Sequence, residues 1–254
     1  MQEKKSIFAP NKIVAIIIYV AVMFIIASLI TIGIGSIICR KNNLDFILFS
    51  EALSATDFTK FDPRYIEASA IAQGYGNFFG YLIAFIGVTF FMRDELKSDL
   101  SKMKANKFKY PIYAILFFVL TFLVDFLFQL IVESSVNQST IELILNYSGK
   151  YAMIIAVVVF APIVEELIYR KAIFSLTKGN RIYVSYLISI VLFTLPHMLS
   201  SDMSNIFVWI LQSIPYMFSA FLFCLIYHKS NFDIYSTIFA HILNNLIAVV
   251  LSII

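Results

Sequence analysis

Of the 254 residues, 60% are hydrophobic, 16% are aromatic and only 14% are charged, with a formal net charge of +3. Ordinary soluble domains carry roughly a quarter charged residues, so the composition excludes a soluble globular enzyme and a disordered chain. Long uninterrupted apolar runs, rather than strict alternation, argue against an outer-membrane β-barrel. What remains is a polytopic all-α membrane bundle, whose basic residues are read as cytoplasmic-loop charges and not as a nucleic-acid surface.

The first apolar run covers residues 13–39, too long for the roughly 7–15-residue core of a cleaved signal peptide, and is read as an uncleaved span. A polar stretch occupies about 40–67. The second span begins near Ala68, is plainly apolar from Phe78 and ends at Met92. Residues 93–109 then carry six basic side chains: Arg93, Lys97, Lys102, Lys104, Lys107 and Lys109. Further spans are expected at about 110–132, 151–176, 182–199, 206–227 and 234–254. The count is about seven, with an eighth short or re-entrant segment near 141–147 as the alternative. Lys4, Lys5 and Lys12, the 93–109 loop, Lys178 with Arg181, and His228 with Lys229 all fall on one side of a seven-span topology, whereas Arg40 and Lys41 fall on the other. The positive-inside rule makes the former side cytoplasmic and places the N-terminus there. Cys39 and Cys224 border or lie inside apolar runs and are read as reduced packing residues. Gly76 and Gly80 form a Gly-x-x-x-Gly pair, a common and unspecific signal for helix dimerisation. No internal repeat or low-complexity linker is evident.

Most of the intramembrane polar groups lie after residue 160. An ionisable group at the centre of a membrane helix costs roughly 2.5–3.5 kcal/mol even on conservative scales, so it persists only where it is paired or used. The fourth span carries Glu165, Glu166 and Arg170. Glu166 and Arg170 are spaced i,i+4, share a helical face and can pair. Glu165 points about 100° away, with no such partner on its own helix. One glutamate is thereby tied to a counter-ion, while the other is available to take or give a proton. The fifth span carries His197, with Phe193 one turn before it. The seventh carries His241 and Asn245, again at i,i+4 and expected to form a hydrogen-bonding pair. Each has a plain structural account: an ion pair with a spare carboxylate, a packing histidine, or glue between helices. At about 1.5 Å of rise per residue, Glu165, His197 and His241 all come to lie near mid-membrane, and a convergent set is harder to explain as glue than any one member.

In order, spacing and placement, Glu165-Glu166-x-x-x-Arg170, then Phe193-x-x-x-His197, then His241-x-x-x-Asn245 resemble the CPBP family of intramembrane proteases. That family includes type II CAAX prenyl endopeptidases and bacteriocin-processing and immunity proteins. Ala161-Pro162 resembles the family's lead-in. The resemblance covers about 151–254, within an expected catalytic membrane core at 110–254 that follows an N-terminal scaffold at 1–109. Two positions depart from the pattern: Lys171, where Gly is frequent, and Tyr169, where Phe is common. The resemblance implies peptide-bond hydrolysis in a cavity open to the cytoplasm. Glu165 would activate water, His197 would hold or polarise it, and His241 and Asn245 would stabilise the oxyanion. Glu166 would orient the set with Arg170 as counter-ion, and Phe193 would support it. The family is usually described as metalloproteases, so a zinc ion on Glu165, His197 and His241 is one variant, and a metal-free glutamate mechanism is the other.

The expected substrate is a membrane-associated peptide or protein, in one variant lipid-modified, processed in maturation of a pheromone or bacteriocin or in immunity. The expected surroundings are membrane lipids of the plasma membrane, with a regulatory membrane partner as a further expectation. Two other classes stay open on sequence alone: a non-catalytic immunity or regulatory binding protein of the same fold, and a proton-coupled transporter that uses Glu165, Glu166 and Asp125 as relays.

Overall fold

A computed structural model describes residues 9–55, 57–177, 182–199, 201 and 203–253. Lys4, Lys5, Lys178 and Arg181 lie outside the described residues. Within them ten helices follow one another and no strand occurs: α1 (Pro10–Asn42), α2 (Phe46–Ser54), α3 (Pro63–Phe91), α4 (Arg93–Asn106), α5 (Tyr110–Gln129), α6 (Val136–Leu145), α7 (Lys150–Phe174), α8 (Ile182–Met198), α9 (Ile206–Lys229) and α10 (Ile234–Ile253).

Six of these, α1, α3, α5, α7, α9 and α10, are long and apolar enough to cross a bilayer. The chain is an integral, multi-pass membrane protein. The expected fifth span is α8, which is apolar but only 17 residues long. At about 1.5 Å per residue it reaches roughly 25 Å, and its length is the lower limit of the roughly 17–25 residues that cross a ~30 Å hydrocarbon core. The segment considered as an eighth span is α6, whose 10 residues are too few to cross.

Two stretches read from sequence as loops are helical. Asp45 starts α2 by accepting the backbone N–H groups of Ile47 and Leu48 at 2.7 and 3.1 Å, an N-cap that satisfies otherwise orphaned donors. Phe49 of α2 is fully buried and its ring abuts Gly35 of α1. The basic 93–109 stretch forms α4, with Asp94 and Glu95 in its first turn facing the positive end of the helix dipole.

One helix occupies the middle of the bundle. In α7, 61% of the most apolar window is buried inside the protein, against 17–33% in the other five spans; those helices expose the remainder, the surface a bilayer would cover. The Gly76–Gly80 pair is consumed inside the chain. A Cβ on Gly76 would collide with the Thr31 side chain of α1, and one on Gly80 would sit 2.7 Å from the Ala27 Cβ. These glycines let α3 approach α1 closely, so this face is not free for a second copy. Gly80→Leu is expected to destabilise the protein by about 1–3 kcal/mol, the usual cost of overpacking, read as a lower thermal midpoint in detergent.

One end of the bundle is tied together by α4. Asp99, fully buried, accepts from Lys102 at 2.9 Å and Lys171 at 2.5 Å, and from the Ile234 backbone N–H at 3.2 Å. It thereby satisfies an orphan donor at the start of α10. Asp233 accepts from Tyr110 Oη at 2.6 Å and Asn106 Nδ2 at 3.3 Å. Lys12, α4, the end of α7 and the α9–α10 turn therefore meet at a single basic end.

Candidate active site

The geometry of α7 begins with its backbone. Residues Ala156–Phe160 and Leu167–Phe174 are π-helical, and the glutamates lie in the α-helical stretch Ala161–Glu166 between them. Such insertions recur at functional sites because they redirect side chains and release carbonyls. Here the cause is local. The Ala161 N–H bonds the Ala156 carbonyl, five residues back. In the same register the donor for Val157 would be Pro162, which has no N–H. Asn245 of α10 supplies it instead, with Nδ2 donating to the Val157 carbonyl at 2.8 Å. Pro162 and Asn245 are thus two halves of one device that locks α10 against α7.

Glu166 and Arg170 have no solvent exposure and pair at 3.3 Å. The guanidinium also donates to Ser189 Oγ at 3.2 Å and lies 4.8 Å from the centroid of the Phe193 ring and 5.3 Å from that of Phe223. The other oxygen of Glu166 accepts from His241 Nδ1 at 3.0 Å. An ionised carboxylate only accepts, so Nδ1 carries the proton. His241 Nε2 is left facing Glu165 Oε2 at 3.9 Å, beyond direct hydrogen-bond range. His241 and Asn245 share a helix face as expected, but they do not bond to each other: each reaches a different group on α7.

Glu165, 4% exposed, has a partner after all, though not on its own helix: Tyr81 Oη of α3 donates to its Oε1 at 2.7 Å. His197 donates through Nδ1 to the Phe193 carbonyl at 2.8 Å when that nitrogen bears the proton, which leaves Nε2 as an acceptor. Its ring stacks on Phe193 at 4.9 Å and lies 4.8 Å from the Tyr216 ring. Phe193 stands between the two histidines, its centroid 6.2 Å from that of His241. Tyr216 shares its hydroxyl with Ser135 at 2.7 Å and so connects His197 to the N-cap of α6. No hydrogen bond or ion pair among the described residues joins Asp125 to this constellation.

Sequence reasoning missed Tyr81, Tyr19 and Ser189. The available signal was weak: a tyrosine inside an apolar helix needs a partner for its hydroxyl, because lipid offers none. The two departures from the family pattern have partners of this kind. Tyr169 Oη lies 3.1 Å from Tyr19 Oη, and Lys171 meets Asp99. Both partners come from the N-terminal region, outside the stretch that carries the motifs.

Metal binding by Glu165, His197 and His241 was one expectation. Among the described residues no three His, Cys, Asp or Glu side chains are gathered so as to hold an ion. In this arrangement the three side chains do not converge as a ligand set.

Fold and site together define a polytopic helical membrane protein with two buried glutamates and a histidine in contact at its centre. Residues 147–247 match the model of the Rce1-like family, described as type II CAAX prenyl endopeptidase Rce1-like. The match lies over the stretch that carries the Glu165, His197 and His241 motifs and takes in about two fifths of the chain. A curated protein of Mycoplasma capricolum subsp. capricolum, described as uncharacterized, is 30% identical over 173 residues, covering 62% of this chain and 49% of that protein. The chain thus spans about half the length of the curated relative it matches. No solved structure matches it.

Proposed function

We propose that this protein is an intramembrane endopeptidase that hydrolyses a peptide bond of a membrane-associated peptide or protein. The observation that carries the reading is Glu165, a nearly buried carboxylate held by Tyr81 at 2.7 Å and facing His241 at 3.9 Å. A general base needs a position in reach of water and a site dry enough to make the carboxylate effective. Glu165 takes a proton from water held against His197 Nε2, and the resulting hydroxide attacks the scissile carbonyl. The oxyanion is met by His241 Nε2, which donates there only when the ring carries both protons. Glu166 supplies the counter-charge for that form, and Arg170 orients Glu166 through their 3.3 Å pair. Donors aimed at a developing oxyanion count most where water is sparse. Glu165 then returns its proton to the leaving amine, and the tetrahedral intermediate collapses. Asn245 holds α10 in register through one N–H, and its second N–H is the additional oxyanion donor.

The substrate is membrane-anchored, with or without a lipid modification, and a leader peptide, pheromone or bacteriocin fits this class. The plasma membrane with a cytoplasmic N-terminus is the location that the basic end favours. The test reconstitutes the full chain in liposomes with membrane-anchored peptides and reads new termini by mass spectrometry. Wild-type protein generates them and Glu165→Gln does not; equal cleavage by the variant would overturn the reading. Tyr81→Phe removes one hydrogen bond to a charged acceptor, worth about 1.5–3 kcal/mol. It is expected to lower kcat by about tenfold or more with KM little changed, measured on the same peptides.

A further inference from the structure

Between α1, α2 and α3 lies a pocket of about 260 Å³. Four of the side chains that line it are polar: Ser28 and Thr31 of α1, and Gln73 and Asn77 of α3. All four sit about 15 Å or more from the ends of their helices, at the depth of the hydrocarbon core. Ser28 and Ile32 at the rim are exposed, so the pocket opens on the surface that a bilayer covers.

Lipid offers such groups nothing to bond. Ser28 Oγ and Thr31 Oγ1 donate to carbonyls of their own helix, those of Phe24 at 3.4 Å and Ala27 at 2.9 Å. Both oxygens remain as acceptors. Asn77 donates one N–H to the Gln73 carbonyl at 2.9 Å and keeps a second N–H and its Oδ1. No hydrogen bond among the described residues engages the side-chain amide of Gln73. The pocket therefore presents spare donors and spare acceptors, and its lining carries no charged group. That set does not suit an ion. It suits a neutral group that both donates and accepts, and a side-chain amide meets a peptide bond in this way, one N–H against one C=O.

The position relative to Glu165 indicates which peptide. Gln73, Asn77 and Tyr81 follow one another at i,i+4 along α3, and Tyr81 holds Glu165. On α1, Ala27, Met23 and Tyr19 run in the same way from the pocket to Tyr169 of α7. Asn77 and Gln73 lie about 6 and 12 Å along α3 from Tyr81, the reach of roughly two to four residues of extended chain. A helix holds its carbonyls in its own hydrogen bonds, so a peptide bond attacked at Glu165 belongs to an unwound segment. Unwound backbone inside a membrane needs partners for every N–H and C=O.

We infer that this pocket is a substrate subsite: Gln73 and Asn77 hydrogen-bond the extended backbone a few residues from the scissile bond. The inference rests on the endopeptidase reading above for its occupant. The test uses the full chain in nanodiscs with membrane-anchored peptides, and with esters of them in which a single backbone N–H is replaced by oxygen at successive positions around the scissile bond. Binding is measured with Glu165→Gln protein and cleavage with protein that keeps Glu165. Gln73→Leu/Asn77→Leu is expected to weaken binding and raise KM about fivefold per amide, roughly 25-fold in all, with kcat little changed. Its thermal midpoint is expected at or above that of wild type, because leucine suits a wall that faces lipid. At one position the ester is expected to cost protein with the native pocket about fivefold, and the leucine variant nothing further, since the partner of that N–H is already gone. Should the leucine variant melt well below wild type, Gln73→Met alone carries the same comparison. Unchanged binding and KM in the variant, or equal ester effects on both proteins at every position, overturns the subsite while cleavage by wild type leaves the endopeptidase reading standing. Pocket-dependent binding of peptides that wild type never cleaves upholds the peptide site and overturns the endopeptidase reading. Neither binding nor cleavage overturns both.

Discussion

Glu165→Gln is expected to lower peptide cleavage by about 10²–10⁴-fold, the usual contribution of a general base, while leaving the fold intact. The amide keeps the size of the carboxylate and its carbonyl oxygen still accepts from Tyr81, so the hydrogen bond that places the side chain survives. What it loses is the ability to take a proton from water. That loss corresponds to roughly 2.7–5.5 kcal/mol of transition-state stabilisation. The diagnostic feature is the split between rate and stability. Glu165→Gln reconstituted in liposomes should melt within about 1 kcal/mol of wild type, since it changes no volume and strands no partner. A variant that loses activity only because it unfolds would show both changes together. Turnover by a stable Glu165→Gln protein at the wild-type rate would remove Glu165 from the chemistry.

The second large effect is on stability. Arg170→Met is expected to destabilise the protein by about 3–5 kcal/mol, because it leaves Glu166 as an uncompensated buried charge. Arg170 and Glu166 both have no solvent exposure, and among the described residues no other cation lies within ion-pair distance of Glu166 except a protonated His241. Glu166→Gln/Arg170→Met removes both charges and is expected to recover most of that loss, since an apolar replacement for a buried pair is often neutral or stabilising. Cleavage should stay low in the double variant, because a neutral amide in place of the Glu166 carboxylate gives His241 no counter-charge. Thermal melts and cleavage rates of wild type, both single variants and the double variant form the cycle that checks this. A single variant as stable as wild type would show that the pair is not a stability element.

Much of the site is legible in the sequence because helical spacing is rigid. An i,i+4 separation puts Glu166 beneath Arg170 and His241 beneath Asn245 whatever the helices pack against, and the bilayer makes every charge stand out. The same rigidity explains one error of reading. Sharing a face made His241 and Asn245 look like partners, yet their real partners, Glu166 and the Val157 carbonyl, lie across an interface. Tyr81 was illegible for the same reason: it is one tyrosine among the aromatics of α3, 84 positions from the glutamate it contacts. The Gly76–Gly80 pair carried no indication of which neighbour it accommodates, and only the contact with Thr31 and Ala27 shows that the neighbour is α1 of the same chain.

By itself, then, the sequence determined the class of the molecule, the approximate places of its spans and the residues able to do chemistry in a dry interior. Hydrophobic run length and helical periodicity are local properties, and an apolar background makes exceptions visible. The tertiary structure alone decided how those residues are used. It placed Tyr81 against Glu165, let Asn245 answer a proline, and set Asp99 between two lysines at one end of the bundle. Each is a contact between helices far apart in the chain, where a buried polar group must find a partner because lipid and packed side chains supply none.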